Sequence, residues 1–364
     1  MTGKGILAMA LGRALTVLVH EWVTGGGLAG SPLPASWAAE GCAMRRAIAA
    51  EFAAVKERPI RVIVTLDARL KEDHGPWLVA PIAEGEYVVR LRDLARAADF
   101  TVLVAPETRG ILACLTRELK EAGARVLGSS AEAVELAGDK ARMAARLEAL
   151  GIDTPRVRTI IPALGLPAGA EYPAVLKPVD GAGSVDTFYL ADAQRLPENA
   201  RTLPSAVLQR YVPGVPMSAS FLVGEGGRPW LIGMGIQRMA VRNGRFVYRG
   251  GILPKSCPRA LPQIEPAVQA VTGLRGFAGV DFIWDAKGSH ATILEINPRP
   301  TTSCVGLCRL VPPGHLARAW LDACEPSTGD LELLDGLSRI VHGQKSLAFD
   351  ARGEFIAEDV GVSV

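Results

Sequence analysis

The chain has 364 residues, 49% of them hydrophobic and 21% charged, a globular composition that suggests two or three domains at about 150 residues each. Lys and Arg number 40 against 38 Asp and Glu, and a formal net charge of +2 gives no electrostatic reason for a nucleic acid or an anionic membrane as partner. No run approaches the ~18 apolar residues that span a bilayer, and the apolar stretch from Ile6 to Leu11 is too short for a secretion signal, so a cytoplasmic protein is expected. Ala14 to His20 reads as a buried strand, and the glycine-rich Thr24–Gly30 segment follows it. A helix is predicted from near Ser36, with Met44, Ile48, Phe52 and Val55 at helical spacing. Arg61 to Leu66 and Phe100 to Ala105 are further strands, ending at Asp67 and at Pro106-Glu107. The next helix carries Ile111, Leu112, Leu115 and Leu119 on one face. Strands alternating with helices predict a doubly wound α/β domain over 1–128, whose ligands would bind beyond the carboxyl ends of the strands.

Ser130 and Gly138-Asp139-Lys140 each open a short helix, the second with Met143, Leu147 and Leu150 inward and Pro155 as its stop. From Ala174 the texture changes to short strands: 174–177, 187–190, 206–212, 218–223, 230–236 and 245–248. A helix around 265–274 and strands at 277–284 and 291–296 follow. This is an α+β pattern, divided as 129–205 and 206–325, with a tail over 326–364 that holds a hairpin around Asp350–Gly353. His342–Lys345 is expected to pack on the sheet. Cys42, Cys114, Cys257, Cys304, Cys308 and Cys324 form no paired framework, so reduced thiols are expected. Cys304 and Cys308, four apart on a helix, read as buried thiols rather than metal ligands.

The strongest constellation lies at 281–299. Glu295 and Asn297 are two apart on one strand and share a sheet face, and a hairpin turn can bring Asp281 beside Glu295. Two carboxylates and an amide oxygen are hard ligands suited to Mg²⁺, and Arg299 follows with a fork for a phosphate. Lys177 ends an apolar strand just before the flexible Asp180-Gly181-Ala182-Gly183-Ser184 turn, where backbone N–H groups can approach phosphate oxygens. Lys140 sits in the first turn of a helix, where a cation opposes the macrodipole unless an anion is near. The extended run Gln209-Arg210-Tyr211-Val212 offers backbone groups and apolar flanks to a flat heterocycle. The Walker pattern G-x-x-x-x-G-K-[ST] is absent.

Taken in order, Leu127–Ser130, Asp139-Lys140, Leu150–Pro155, Lys177-Pro178, the 180–184 loop, Gln209–Gly214 with Ser218, Asp281 and Glu295–Arg299 resemble the ATP-grasp ligase superfamily over about 125–310. The resemblance implies an ATP-grasp fold behind the N-terminal domain. It places Lys140, Lys177, Gly181, Gly183 and Ser184 on ATP phosphates and Gln209, Arg210, Tyr211 and Val212 at the adenine. Asp281, Glu295 and Asn297 would hold Mg²⁺ or Mn²⁺, with Arg299 and Lys177 catalytic. Arg210 departs from the Glu that many relatives carry, so any side-chain role of that Glu is lost. Glu21–Gly27, Glu40-Gly41 with Met44, and Val64–Leu70 look like the tyramine–L-glutamate ligase family of methanofuran biosynthesis.

That likeness implies an ADP-forming acid–amine ligase that joins the γ-carboxylate of L-glutamate to tyramine or a tyrosine-like amine through an acyl phosphate. Its partners would be small-molecule acids and amines, and relatives of this type are often homodimers. Arg238 and Thr301-Thr302-Ser303 are expected to hold the acid. Glu21, Gly25, Gly26, Gly27 and Asp67 are expected to face the amine. The alternatives are an ATP-grasp ligase for another amino acid or a carrier, a non-catalytic ATP-binding protein, and a dinucleotide-dependent oxidoreductase. The last rests on Gly25–Gly30 matching G-x-G-x-x-G, but Pro32 and Pro34 interrupt the helix it needs, and Asp67 stands beyond the ~20-residue spacing.

Overall fold

A computed structural model of the chain describes residues 14–71, 74–181, 183, 185–193, 196–285, 287–325 and 330–356. The 6–11 stretch, Ala182 and Ser184 of the glycine loop, and Ala357 lie outside the described residues.

The first unit is a four-stranded parallel sheet of β1 (Leu15–Glu21), β2 (Ile60–Asp67), β3 (Leu78–Ile82) and β4 (Phe100–Val104), in the order β3-β2-β1-β4. Alternate residues of β1 serve two cores. Val17 and Val19 pack with Met44, Ile48 and Phe52 of helix α1 (Ala35–Ala53). Leu18 packs with Leu91 and Ala95 of α2 (Tyr87–Ala97) and with Leu112, Leu115 and Leu119 of α3 (Ile111–Glu121). Coverage on both faces is why the central strands read as nearly continuous apolar runs. The sequence pattern did not reveal β3 or α2. Pro81 falls inside β3, which an edge strand tolerates, and α2 buries only Leu91 and Ala95 among its arginines.

Ser130 and Asp139 cap the next two helices, α4 (Ala131–Gly138) and α5 (Lys140–Ala149). The Ser130 hydroxyl accepts from Ala133 N at 3.1 Å, and an Asp139 carboxylate oxygen accepts from Ala141 N and Arg142 N at 3.0 Å each. The helix ends earlier than expected: Gly151, at φ 71°, turns the chain before Pro155 is reached, and Leu150 is exposed rather than inward.

The second unit is one large sheet. Its strands are β5 (Val157–Ile160), β6 (Ala174–Pro178), β7 (Phe188–Leu190), β8 (Ala206–Arg210), β9 (Val215–Val223), β10 (Pro229–Arg242), β11 (Arg245–Leu253), β12 (Gly276–Trp284) and β13 (Ala291–Asn297). They run β13-β12-β9-β10-β11-β7-β6-β8-β5, with antiparallel pairing along the path. Helix α6 (Glu198–Arg201) is a single turn, and α7 (Leu261–Gln269) begins before the expected 265 and buries Ile264, Ala267 and Val268.

Three helices close the unit: α8 (Ser303–Leu310), α9 (His315–Cys324) and α10 (Leu331–His342), the last within the segment expected to hold a hairpin alone. The hairpin follows as β14 (Leu347–Phe349) and β15 (Phe355–Ile356), and β14 pairs with β11. Cys304 lies in the apolar core, and burial pushes its thiol up to about 12.

The two units share a core. Helix α1 packs on α8 and α9, and Leu15, Val17, Met44 and Phe52 cluster with Phe277, Leu307, Leu316, Trp320 and Leu337. Glu51 of α1 accepts from Leu316 N at 3.2 Å, and Gly314 lies so close to Ala54 O that a Cβ there would stand 2.6 Å from it. No helix among the described residues is long and apolar enough to cross a membrane.

Candidate active site

The antiparallel register of β12 and β13 sets Asp281 directly opposite Glu295 and Gly279 opposite Asn297, with a bulge after Asp281. Asn297 Nδ2 donates to Asp281 Oδ2 at 3.1 Å, and Gln237 Nε2, reaching from β10, donates to Asp281 Oδ1 at 2.9 Å. Burial raises the Asp281 carboxyl above the usual range, and the Glu295 carboxylate raises it further. Burial also opposes the Glu295 anion, but Lys140 and Lys177 outweigh it and hold that carboxyl low.

Both lysines face the acids. Lys140 Nζ lies 3.8 Å from Glu295 Oε2 and donates to the carbonyl of Gly181, which fastens the glycine loop to the start of α5. Lys177, 7% exposed near the end of β6, is brought down to about 8 by burial, with Lys140 adding to the effect and the two acids opposing it. Arg299, just past β13, sets Nη2 2.9 Å from Glu107 Oε2 beyond the end of β4. Arg299 Nε and Glu107 Oε1 are buried with no hydrogen-bond partner among the described residues.

These groups line one cavity of about 940 Å³ between the two units. Of the residues expected at ATP, it includes Lys140, Lys177, Gly181, Gly183, Gln209, Tyr211 and Val212; Asp281, Glu295, Asn297 and Arg299 line it as well. Tyr211 N donates to Pro173 O at 2.9 Å, and its ring meets Tyr189 edge-on at 5.3 Å, so the segment is held from behind. Arg210 points the other way, exposed and 4.0 Å from Glu171. Strand alternation explains this, since Gln209 takes the inward position. Asp180 of the glycine loop accepts from Arg109 N at 2.7 Å, which ties the loop to the first unit.

The residues expected at the amine and the acid divide. Glu21 lines the cavity, buried, accepting from Val23 N at 3.0 Å, Thr24 N at 2.8 Å and the Thr24 hydroxyl at 2.6 Å. Ser303 also lines it, its hydroxyl 2.7 Å from that of Thr301 and 3.3 Å from that of Ser220. Gly25, Gly26 and Gly27 are not in the wall. They admit His20 and Thr65, Ile82, and Trp22 at distances no Cβ allows, and Gly26 has φ 98°. Asp67 faces a separate cleft with Ser31 and Glu84, where Arg69 Nε and Nη2 hold it at 2.9 and 2.7 Å. Arg238 lies between Gln237 and Met239, which line the cavity, and is not itself among its lining residues.

Sequence reasoning missed Gln237 and Tyr248, and it named Glu107 without its partner. Tyr248, on β11, lines the cavity, and its phenol is raised by burial. Strands β10 and β12 both pair with β9, which brings Gln237 to Asp281 across one intervening strand, and no local spacing signals that approach.

The donor set suits a hard divalent cation: two opposed carboxylates and an amide, with oxygen donors only and like charges forced together by the register. The unsatisfied Nε of buried Arg299 suits a phosphoryl oxygen.

Residues 137–303 match the ATP-grasp domain family, and residues 60–134 match the pre ATP-grasp 3 domain. Over 229 residues the chain is 30% identical to a tyramine–L-glutamate ligase of Methanocaldococcus jannaschii, covering 62% of this chain and 64% of that protein. Among solved structures, an ATP-grasp superfamily protein from Archaeoglobus fulgidus superposes with a TM-score of 0.61 at 21% identity, over 82% of this chain and 85% of that one. The D-alanine–D-alanine ligase of Bacillus anthracis, in complex with ATP, gives 0.59 at 16% identity, over 85% of this chain and 97% of that one.

Proposed function

The chain belongs to the ATP-grasp superfamily, and from that premise we propose that it is an ATP-dependent carboxylate–amine ligase, converting ATP, an acid and an amine into an amide, ADP and phosphate. The acid is L-glutamate through its γ-carboxylate and the amine is tyramine or a tyrosine-like amine, by likeness to the Methanocaldococcus relative. On this reading the amide serves the building of a methanofuran-type carrier.

The observation that carries this reading is the single cavity in which Lys140, Lys177 and Arg299 face Asp281, Glu295 and Asn297. Lys140, Lys177 and the backbone around Gly181 and Gly183 hold the phosphate tail. Gln209, Tyr211 and Val212 flank the adenine; Arg210 contributes backbone only. Asp281, Glu295 and Asn297 hold Mg²⁺ or Mn²⁺, which neutralises phosphate charge when bound. Arg299 takes the transferred phosphoryl, and its planar fork stays aligned because Glu107 grips Nη2. Lys177, largely desolvated, acts on developing negative charge more strongly than an exposed ammonium would. The acid oxygen attacks the γ-phosphorus, and the amine then displaces phosphate from the acyl carbon. Placement and charge neutralisation supply the catalysis.

The test is a screen of amino acid and amine pairs for ADP release, with product masses measured. Glutamate with tyramine should release ADP and give the amide mass. ADP released with another pair alone would assign a different substrate, and no pair-dependent ADP would overturn the ligase reading.

A further inference from the structure

On the first unit's side of the cavity, helix α1 presents Trp37, Glu40, Gly41 and Met44. Their spacing, i, i+3, i+4 and i+7, puts an aromatic ring, a carboxylate, a gap and a thioether on one helical face. The gap at Gly41 is filled from β1: a Cβ there would stand 2.3 Å from Glu21 Oε2. Trp22 and Leu28 line the same region. An indole, a thioether and a carboxylate side by side make a site for an aromatic ring carrying a cationic nitrogen.

Glu40 is also the residue of this face that is coupled to Arg299. The Thr302 hydroxyl donates to Glu40 Oε1, so a first-unit side chain is pinned to the segment that leads from Arg299 into α8. Titratable and charged groups face it from three elements: Arg299 from the end of β13, Tyr248 from β11 and Cys304 from α8. Burial raises its carboxyl above the usual range, while Thr302 and Arg299 temper that rise. A carboxylate so placed accepts a proton more readily than an exposed one.

The geometry points to Glu40 as the general base for the amine, with Trp37 and Met44 as the seat of its aromatic ring. This rests on the ligase reading above. The ammonium group gives one N–H proton to the Glu40 carboxylate. The freed lone pair forms the N–C bond to the acyl phosphate carbonyl carbon, and the C–O bond breaks with its electron pair leaving on phosphate. The second N–H proton departs with that phosphate, and Glu40 returns its own proton to solvent.

Hydroxylamine, which is neutral at about pH 7 and captures acyl phosphates as hydroxamates, separates the steps. The full chain is assayed with MgATP and L-glutamate, with tyramine or hydroxylamine as nucleophile. For Glu40→Gln the ratio of amide to hydroxamate formation should fall about a hundredfold, and the deficit should shrink as pH rises and free tyramine accumulates. Thr302→Val should lower the ratio less, and Trp37→Ala should raise KM for tyramine while leaving KM for glutamate. Should Glu40→Gln not fold, the Thr302→Val ratio and the Trp37→Ala KM split decide the matter. Equal loss with both nucleophiles, or none with either, overturns the assignment. A wild-type enzyme forming hydroxamate but no tyramine amide overturns the aromatic seat while leaving the ligase reading intact; one forming neither overturns both.

Discussion

Glu107 Oε2 and Arg299 Nη2 stand 2.9 Å apart, joining the end of the parallel sheet to the end of β13 across 192 residues of chain. Their side chains are only 6% and 13% exposed, so each charge depends on the other. Glu107→Gln removes the anion that grips the buried guanidinium, and stability without nucleotide should fall by about 3 kcal/mol. Urea unfolding measures the loss. MgATP should narrow it, since phosphate oxygens supply an acceptor; an unchanged midpoint would show that the pair does not hold the units together.

Gln237 is expected to tune the metal through Asp281, whose Oδ1 it holds at 2.9 Å. Gln237→Leu removes that donor and leaves Oδ1 without the hydrogen bond that fixes it, so Mg²⁺ should bind roughly tenfold more weakly. Titrating Mg²⁺ against ADP formation at saturating ATP checks this, and an unaltered Mg²⁺ midpoint would count against the assigned ligand.

The absent side chain at residue 41 is a packing requirement. A Cβ there would meet Glu21 Oε2 at 2.3 Å and Cδ at 2.6 Å, and Glu21 cannot retreat without releasing Val23 N and Thr24. Gly41→Ala should therefore cost about 1–3 kcal/mol and raise KM for the amine more than for ATP. Thermal unfolding and initial rates give both.

His20 is buried between the Thr65 hydroxyl at 2.7 Å and the Tyr87 hydroxyl at 3.0 Å. Burial first, and Arg45 second, bring its pKa down to about 3 from an ordinary 6.5. Below pH 6.5 the unfolded chain takes up a proton that the folded chain refuses, so stability is lost as the pH falls from about 6.5 toward 3. His20→Gln should flatten that part of the stability–pH curve by up to about 1.4 kcal/mol per pH unit. Parallel curves for the two proteins would contradict the neutral imidazole.

Sequence alone pointed to the acid pair, both lysines and the glycine loop, because each rests on a local signal: strand alternation, a strand end, or, for Lys140, a helix start. It did not carry Glu107 against Arg299 or Gln237 against Asp281, since only tertiary pairing makes those contacts. Asp67 misled for a physical reason. It ends a parallel strand, the usual place for a ligand, but Arg69 two residues on satisfies it locally in a separate cleft. The Gly25–Gly27 run misled likewise: its glycines make room for His20, Ile82 and Trp22 rather than for a ligand. Helices α2, α9 and α10 escaped notice because α2 has a narrow apolar stripe and the other two lie in a stretch read as the end of a domain and its tail.

Supplying L-glutamate labelled with ¹⁸O in its γ-carboxylate, together with MgATP and tyramine, tests the central claim most directly. Transfer through an acyl phosphate carries one labelled oxygen into each phosphate released, with one ADP and one amide formed alongside. Unlabelled phosphate, or AMP in place of ADP, would contradict it.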